Sequence, residues 1–254
     1  VASGFACPED VAFRAAEVVG GGGGLGLMLR AAVALPAGTS DGAAPGEQRA
    51  AGDSQAPLTP PFSQACGANL TISPDGYAAS RERGCRGAVA VGAAPLPERA
   101  CGLYFEVEVV RTVEGWVGGL GVGLTHRAPQ ELLAAGLPAR ASQVPGAFVV
   151  GYHGGVFLGG AEQPAAWQPD SLREGQRVGV LLTAGERRDL LVLVDGERAL
   201  RVDGESLKAA GLRRAPLYAV VDVVNATSAV RLVERSSPPP RELWSAASPR
   251  DWEK

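Results

Sequence analysis

Two neighbouring stretches decide the fold of this chain: Leu103-Tyr104-Phe105-Glu106-Val107-Glu108-Val109-Val110 and Gly115-Trp116-Val117-Gly118-Gly119-Leu120-Gly121-Val122-Gly123-Leu124-Thr125. Side chains of a strand point alternately to its two faces. The first stretch therefore predicts a strand with one buried face and one solvated face, which carries Glu106 and Glu108. The second stretch is too rich in glycine for a helix, because each interior glycine costs about 1 kcal/mol relative to alanine. Its alternation of glycine with Leu120, Val122 and Leu124 predicts a strand whose outer face is closely covered.

The rest of the chain from Phe62 onward repeats short strand patterns at the spacing typical of an all-β, antiparallel β-sandwich. The Asp195-Gly196 pair predicts a tight hairpin. One short helix is expected at 130–135, with Leu132 and Leu133 turned to the core. The sandwich core is expected to form from Phe105, Val107, Leu120, Val122, Val180 and Val220. Strands are expected at 69–72, 77–81, 87–91, 102–111, 119–125, 147–153, 155–158, 177–184, 190–194, 198–202, 218–224 and 229–233.

The chain ends differ in composition from this central region. Residues 1–61 include the glycine run 20–24 and a stretch rich in Ala, Gly, Pro, Ser, Asp and Gln, which is typical of a linker. They are expected to be a flexible N-terminal extension or the end of a preceding unit. The sandwich is assigned to residues 62–234. Residues 235–254 begin with a proline-rich break, and their Trp244 and Trp252 either dock back on the sandwich or form a peptide for another protein.

Charge and cysteine content narrow the class of protein. The net charge is −3 at pH 7, and no cluster of basic and aromatic residues is present, so a nucleic-acid partner is not expected. The longest apolar run, at 25–35, contains Arg30 and is too short to span a bilayer. The cysteines Cys7, Cys66, Cys85 and Cys101 match neither a disulfide framework nor a CxxC metal pair. A reducing, cytoplasmic location is the simplest interpretation.

Catalytic patterns are not found in the sequence. Its two histidines, His126 and His153, lie near no Gly-x-Ser-x-Gly elbow. The glycine-rich segments lack the Gly-Lys-Ser/Thr end of a phosphate-binding loop. Glu106 and Glu108 have only the ordinary spacing of one strand face. We therefore expect no enzymatic activity, no cofactor and no metal.

A series of short motifs, in the same order along the chain, resembles the Neuralized homology repeat, a family related to the SPRY domain. The two most specific are Trp116-x-Gly118-x-Leu120-x-Val122-Gly123 and Tyr218-Ala219-Val220-Val221-Asp222. They are accompanied by Cys66-Gly67-Ala68-Asn69-Leu70, Asp75-Gly76 with Ala79 and Arg81, Gly87-x-Val89, Pro95-Leu96, Phe105-Glu106-Val107, Pro129, Glu174-Gly175 with Arg177-Val178-Gly179-Val180, and Val194-Asp195-Gly196.

This resemblance implies a concanavalin A-like or SPRY-like sandwich that binds peptide segments of partner proteins through loops at one end. Members of the family commonly recognise substrates for ubiquitin ligases, with a RING or a SOCS box elsewhere in the chain; neither pattern is present in this sequence. Aromatic and arginine side chains offer large contact areas. The partner-binding candidates in such loops are Trp116, His126, Arg127, Tyr152, His153, Trp167 and Asn225, although Trp116 could equally be a core residue, and Arg81 could be a structural ion-pair partner.

Two other functions remain open at this point. The domain could be a structural subunit of a larger assembly, for example a cytoskeletal one, with its N-terminal extension and C-terminal tail as docking arms. A sandwich that binds carbohydrate, or an enzyme that acts on it, is the other alternative, because lectins and some glycanases share related folds and a fold does not settle function.

Overall fold

The computed structural model describes residues 58–84, 88–212 and 216–245. The expectations for residues 1–57, for Cys85 and for Trp252 lie outside the described residues. The described part of the chain forms thirteen strands and three short α-helices. The strands are β1 (Leu70–Ile72), β2 (Ala78–Arg81), β3 (Val89–Val91), β4 (Gly102–Thr112), β5 (Gly119–Thr125), β6 (Ala147–Tyr152), β7 (Gly155–Leu158), β8 (Ala161–Pro164), β9 (Arg177–Thr183), β10 (Leu190–Val194), β11 (Glu197–Val202), β12 (Tyr218–Asp222) and β13 (Thr227–Leu232), and the helices are α1 (Pro129–Ala135), α2 (Gly204–Ala209) and α3 (Arg241–Ser245).

The strands build two antiparallel sheets. One has seven strands in the order β1-β2-β13-β4-β9-β10-β11, and the other has six in the order β3-β12-β5-β6-β7-β8. The predicted all-β sandwich is therefore confirmed. Its core includes Phe105, Val107, Leu120, Val122 and Val180, each no more than 1% exposed.

The prediction that Val220 joins this core is wrong. In β12, Val221 lies opposite Val122 and Val220 lies opposite Gly123, so Val221 faces the other sheet. Val220 faces outward, yet it is fully buried in a second apolar cluster with Val89, Val91 and Val149. Both faces of the six-stranded sheet are therefore covered at β3, β12, β5 and β6.

The cover of this outer face is the chain between β5 and β6. It consists of α1 and a short 3-10 helix at Ala141–Gln143. Leu132 of α1 packs against the sheet at 3% exposed, whereas Leu133 is 57% exposed, so the expectation that both face the core is wrong for Leu133. Neighbouring helical positions point about 100° apart, and a helix lying on a flat sheet can bury only one of them fully.

The glycines of β5 face this cover, as the sequence predicts. A Cβ at Gly121 would lie 2.9 Å from the ring of Tyr152, and one at Gly123 would lie 1.9 Å from the carbonyl oxygen of Phe148. These distances leave no room for a side chain. Glycine is therefore required at these alternate positions of β5, because neighbouring groups lie too close for a side chain.

The outer face of the seven-stranded sheet is only partly solvated. The side chain of Glu106 is 12% exposed, and that of Glu108 is 40% exposed; Arg177 lies between them, 4.0 and 3.9 Å from their carboxylates. The expectation of a solvated glutamate is wrong for Glu106, whose side chain is largely buried and interacts with Tyr104 and Arg177. Elsewhere on this face, Trp244 packs against an apolar cluster that includes Tyr104 and Leu181, which agrees with the docking interpretation of the C-terminal tail.

Three elements, β8, α2 and the five-residue α3, have no counterpart in the strand and helix expectations. Strand β8 has the sequence Ala-Glu-Gln-Pro, and all four residues are exposed, so it lacks the apolar alternation that marks a strand. Helix α2 begins after Asp203, whose side chain accepts a hydrogen bond from the main-chain N–H of Ser206. Its six residues are too short for a recognisable period.

Among the described residues, no helix combines the length and hydropathy needed to cross a membrane.

Replacing Gly123 with alanine is expected to lower the free energy of unfolding by about 3 kcal/mol or more, because the added methyl group meets a main-chain carbonyl. Urea unfolding followed by tryptophan fluorescence measures this loss. Gly67→Ala is the matched control: its Cβ would lie 3.7 Å from the nearest atom, and it should range from unchanged to about 1 kcal/mol more stable. Equal stability of both variants would contradict the close-contact explanation.

Candidate functional site

Four connections meet at the end of the sandwich where β5 begins. The register places Gly119 opposite Tyr152, the last residue of β6, and Gly121 opposite Asp222, the last residue of β12. Thr227, which begins β13, lies opposite Thr112, which ends β4. The connections that follow or precede these residues therefore lie together. We call residues 113–118, 153–154, 168–171 and 223–226 the loop-end surface.

Hydrogen bonds join the first and last of these connections. The N–H of Val113 donates to the carbonyl of Ala226 at 2.8 Å, and the N–H of Ala226 donates to the carbonyl of Gly118 at 3.2 Å. The side-chain amide of Asn225 donates to the carbonyl of Val117 at 3.1 Å. Three bonds between two short loops fix their relative position.

Arg81 supports the Asn225 turn from β2. Its side chain is 7% exposed, and its Nη2 donates to the carbonyl of Asn225 at 2.9 Å. Asn225 has a φ of 47°, a left-handed conformation that asparagine tolerates better than most residues. This hydrogen bond from Arg81 ends on a main-chain oxygen, and the guanidinium helps to hold the turn in this conformation.

Gly118 contacts the other two segments of the loop-end surface, residues 153–154 and 168–171. Its N–H donates to the carboxylate of Asp170 at 3.4 Å. A Cβ at this position would lie 2.5 Å from Nδ1 of His153, so the imidazole lies directly over the glycine. Gly118 also has a φ of 77°, where L side chains are strained. Only glycine satisfies both conditions without distortion.

Val117 is linked to the other segments of this surface through its own carbonyl, which Asn225 contacts, and through the adjoining Gly118, which contacts Asp170 and His153. We therefore describe it as the centre of the surface.

Val117 is 70% exposed, the highest value among the large apolar residues identified as exposed in the described part. Trp116 beside it is half-buried, and Glu114 and His153 are exposed. A rigid surface with an apolar centre and a polar rim suits the binding of another macromolecule. No cluster of three or more metal-ligating side chains occurs among the described residues.

The structure brings together three of the seven residues expected to bind a partner: Trp116, His153 and Asn225. Tyr152 and Trp167 lie close by in the chain but are buried, at 3% and 7% exposed. Their side chains belong to the apolar clusters and do not form part of the loop-end surface.

His126 and Arg127 lie at the opposite end of β5. This strand has seven residues, which corresponds to roughly 20 Å. The ring of His126 packs edge-on against Phe148 at 5.8 Å, and Arg127 lies 3.3 Å from Glu131 on the first turn of α1. They are not part of the loop-end surface.

Tyr152 has a defined role in the interior, with Asp222. The Asp222 carboxylate is fully buried and accepts three hydrogen bonds: from the N–H of Ala88 at 3.0 Å, from the N–H of Ala141 at 2.9 Å and from the hydroxyl of Tyr152 at 2.8 Å. Burial raises the pKa of Asp222, and the three donors offset only part of this rise. Burial and the nearby Asp222 charge also raise the pKa of Tyr152.

Sequence reasoning missed Val117 and Asp170 as parts of the site. Val117 lies between Trp116 and the Gly118-Gly119 pair. An apolar residue in such a glycine-rich connection was the signal that could have identified it. Asp170 carried no such signal, because its contact with Gly118 joins residues 52 positions apart in the sequence. Only the assembled sheets show that these segments meet.

Comparison with known proteins gives a consistent picture of the family and the fold. A family model described as Neuralized matches residues 62–234. The crystal structure of the Neuralized NHR1 domain of Drosophila melanogaster is similar, with a TM-score of 0.51 and 18% identity over 70% of this chain and 98% of that chain. The solution structure of the NEUZ (NHR) domain in Neuralized from the same organism gives 0.52 and 19% over 71% and 94%. A crystal structure of a human SPRY domain gives 0.45 and 16% over 66% and 97%. The two Neuralized structures share the sandwich fold described above.

Replacing Tyr152 with phenylalanine is expected to lower the free energy of unfolding by about 1 to 3 kcal/mol, because a buried carboxylate loses one donor. Chemical unfolding measures the loss. Tyr218→Phe is the matched control, since Tyr218 packs in the same cluster and is not one of the donors that Asp222 accepts from; it should change stability by less than about 0.5 kcal/mol. Similar losses in both variants would contradict the assigned role of the hydroxyl.

The Asp222 carboxyl is expected to titrate above the ordinary aspartate value of about 3.9, because burial raises its pKa. Asp75 should titrate below that value, because hydrogen bonds from Ser73, the Tyr77 N–H and Arg231 lower its pKa. A carbon-13 NMR titration of the folded protein measures both midpoints.

The raised pKa of Asp222 determines how this carboxyl changes the stability of the fold with pH. The folded state holds the Asp222 proton more tightly than the unfolded state does, so this carboxyl contributes most to stability below the ordinary aspartate pKa. The contribution declines as the pH rises through the raised value. A midpoint for Asp222 below that of Asp75 would overturn this assignment.

Proposed function

The chain belongs to the Neuralized family, and on that premise we propose that it is a non-enzymatic module that binds a segment of a partner protein on the loop-end surface. The family is one of protein-interaction domains. The observation that carries the proposal is the exposure of Val117, 70%, at the centre of loops that are otherwise held by hydrogen bonds.

Rigidity supports this proposal. The loops of the surface are joined to each other through Val113, Gly118 and Ala226, and to β2 through Arg81. A surface that is already ordered loses less conformational entropy on binding than a flexible one. Loops fixed by a sandwich are also the usual position of recognition residues.

The chemistry of the surface supports a partner segment with an apolar anchor. Val117 and the half-buried Trp116 offer an apolar centre, and His153, Asn225 and Glu114 offer hydrogen-bonding groups around it. A short extended peptide that places one apolar side chain on Val117 would satisfy both parts. An anchor of this kind commonly carries most of the binding energy of an interface.

A second part of the proposal concerns the ubiquitin pathway and the cellular compartment. We propose that the bound protein is presented to a ubiquitin ligase, the role that the family resemblance implies, and that binding occurs in the cytoplasm. The thiols of Cys66 and Cys101 are free, which supports a reducing compartment. Ubiquitin conjugates of the partner that depend on this chain would test the first point.

The alternative functions have less support. Glu106 and Glu108 both lie beside Arg177, an arrangement that suits an ion-pair network and leaves no separate acid and base for glycoside chemistry. Trp244, a suggested docking arm for an assembly, packs on the sandwich of its own chain.

Replacing Val117 with aspartate is expected to abolish partner capture, because it places a charge at the apolar centre. The full chain serves as bait in affinity capture followed by mass spectrometry. Leu133→Asp is the matched control: Leu133 is also an exposed apolar residue, at 57%, but it lies on α1 beyond the opposite end of β5. We expect the control to capture the same partners as the unmodified chain, and Val117→Asp to lose them at least tenfold.

The proposal fails if both variants retain the same partners. Loss in both variants would also count against it, because the loop-end surface would then not be the determinant. Circular dichroism and thermal melting of each variant confirm that the loss of capture is not a loss of fold.

A further inference from the structure

The outer face of the seven-stranded sheet carries an apolar cluster outside the loop-end surface. It contains Tyr104 of β4, Leu181 of β9, and Leu191 and Leu193 of β10, each at most 2% exposed. These positions point away from the sandwich core. Apolar side chains on such a face stay buried only if another segment covers them.

The Tyr104 ring forms part of the floor of this cluster. A Cβ at Gly179 on the neighbouring strand would lie 2.5 Å from the Tyr104 hydroxyl, so the ring lies flat across β9. Leu181 follows two residues later on the same face of β9, and Leu191 lies opposite it on β10. The floor is thus built entirely from the sheet and does not need the covering segment for its construction.

The segment at this face is residues 236–245, which we call the C-terminal strap. It begins at Ser236, which is 2% exposed; its hydroxyl lies 3.0 Å from that of Thr59, and its carbonyl accepts a hydrogen bond from Nη1 of Arg99 at 2.7 Å. Three prolines follow, 238–240, and they favour an extended backbone. The strap is therefore fixed at Ser236 and continues from there as a stiff, extended segment.

Trp244 attaches the strap to the cluster. Its side chain packs against the apolar floor, and its indole N–H donates to the carbonyl of Pro239 at 2.9 Å. Nη1 of Arg198 on β11 donates to the main-chain carbonyl of Trp244 at 3.0 Å. The face thus contacts an aromatic side chain and a main-chain oxygen, which are features of a peptide-binding site.

The strap has the character of a tethered ligand. Its helix α3 has only five residues, too few to be stable in isolation, so its order depends on docking. A tether raises the effective concentration of a weakly bound segment to about millimolar. The same contacts would therefore form with a separate peptide of the same sequence, provided that the tethered copy is removed.

We propose that the outer face of β4, β9 and β10 is a second docking surface, which takes a proline-rich segment with a tryptophan four positions after its last proline and is occupied in cis by residues 236–245. It is separate from the loop-end surface and independent of the function proposed for it. A partner of the same chemistry would have to displace the strap.

The test uses the full chain with Trp244→Ala, labelled with nitrogen-15, and a synthetic peptide of residues 236–245 that contains the tryptophan. We expect the peptide to shift the amide signals of β9, β10 and β11 in this variant, and to bind the unmodified chain at least tenfold more weakly. The same peptide with alanine in place of tryptophan should produce no shift. Trp252→Ala is the matched variant: it loses a tail tryptophan but keeps Trp244, and it should exclude the peptide as the unmodified chain does.

Several results would overturn the proposal. The first is the absence of peptide binding to the folded Trp244→Ala variant, and the second is equal binding to the Trp252→Ala variant. If Trp244→Ala fails to fold, the strap is an inseparable part of the core. Sedimentation of the unmodified chain as a dimer that Trp244→Ala dissociates would assign the strap to a second copy. Shifts confined to residues 113–118 would place the peptide on the loop-end surface instead.

Discussion

The buried carboxylate of Asp222 is the constraint on which the architecture of the six-stranded sheet depends. It accepts bonds from Ala88 before β3, from Ala141 in the covering segment and from the Tyr152 hydroxyl at the end of β6. A buried charge is costly unless donors surround it. The three donors must therefore stay in place together, and this requirement fixes the covering segment over the sheet and the end of β12 immediately before the Asn225 turn.

The hydrogen bond between Tyr152 and Asp222 also requires glycine in β5. Tyr152 can reach Asp222 only by laying its ring across the position where Gly121 would carry a Cβ. The carboxylate, the tyrosine and the glycine thus form one unit, drawn from three strands that are adjacent in the sheet. The Asp222 end of the unit adjoins the loop-end surface, so the interior chemistry of the sheet positions the loops as well as stabilising the fold.

The sequence was sufficient to predict every strand except the exposed β8, and with them the sandwich, because a period of two and the turn residues are local signals. It was not sufficient to assign faces where both sides of a strand are covered. Val220 and Val221 are equally apolar, and only the register with β5 decides which one enters the core. Tyr152, at the end of β6, and Trp167, in the connection after β8, were expected in recognition loops for a similar reason. An aromatic residue in such a position suits a surface as well as a buried cluster, and the choice depends on segments distant in sequence.

The loops of the loop-end surface are held mainly by bonds to main-chain oxygens, whereas its most exposed large apolar group, the side chain of Val117, takes no part in holding them. Most of the bonds between its loops end on main-chain oxygens, those of Val117, Gly118 and Ala226, and such bonds do not depend on the side chain at the accepting residue. The Val117 side chain can therefore change without loss of the loop framework, whereas Gly118 cannot, because His153 and a positive φ both exclude a Cβ. A scaffold of this kind permits different specificities on one fold, since the exposed side chain of Val117 can vary while the main-chain bonds that maintain the shape of the loops are kept.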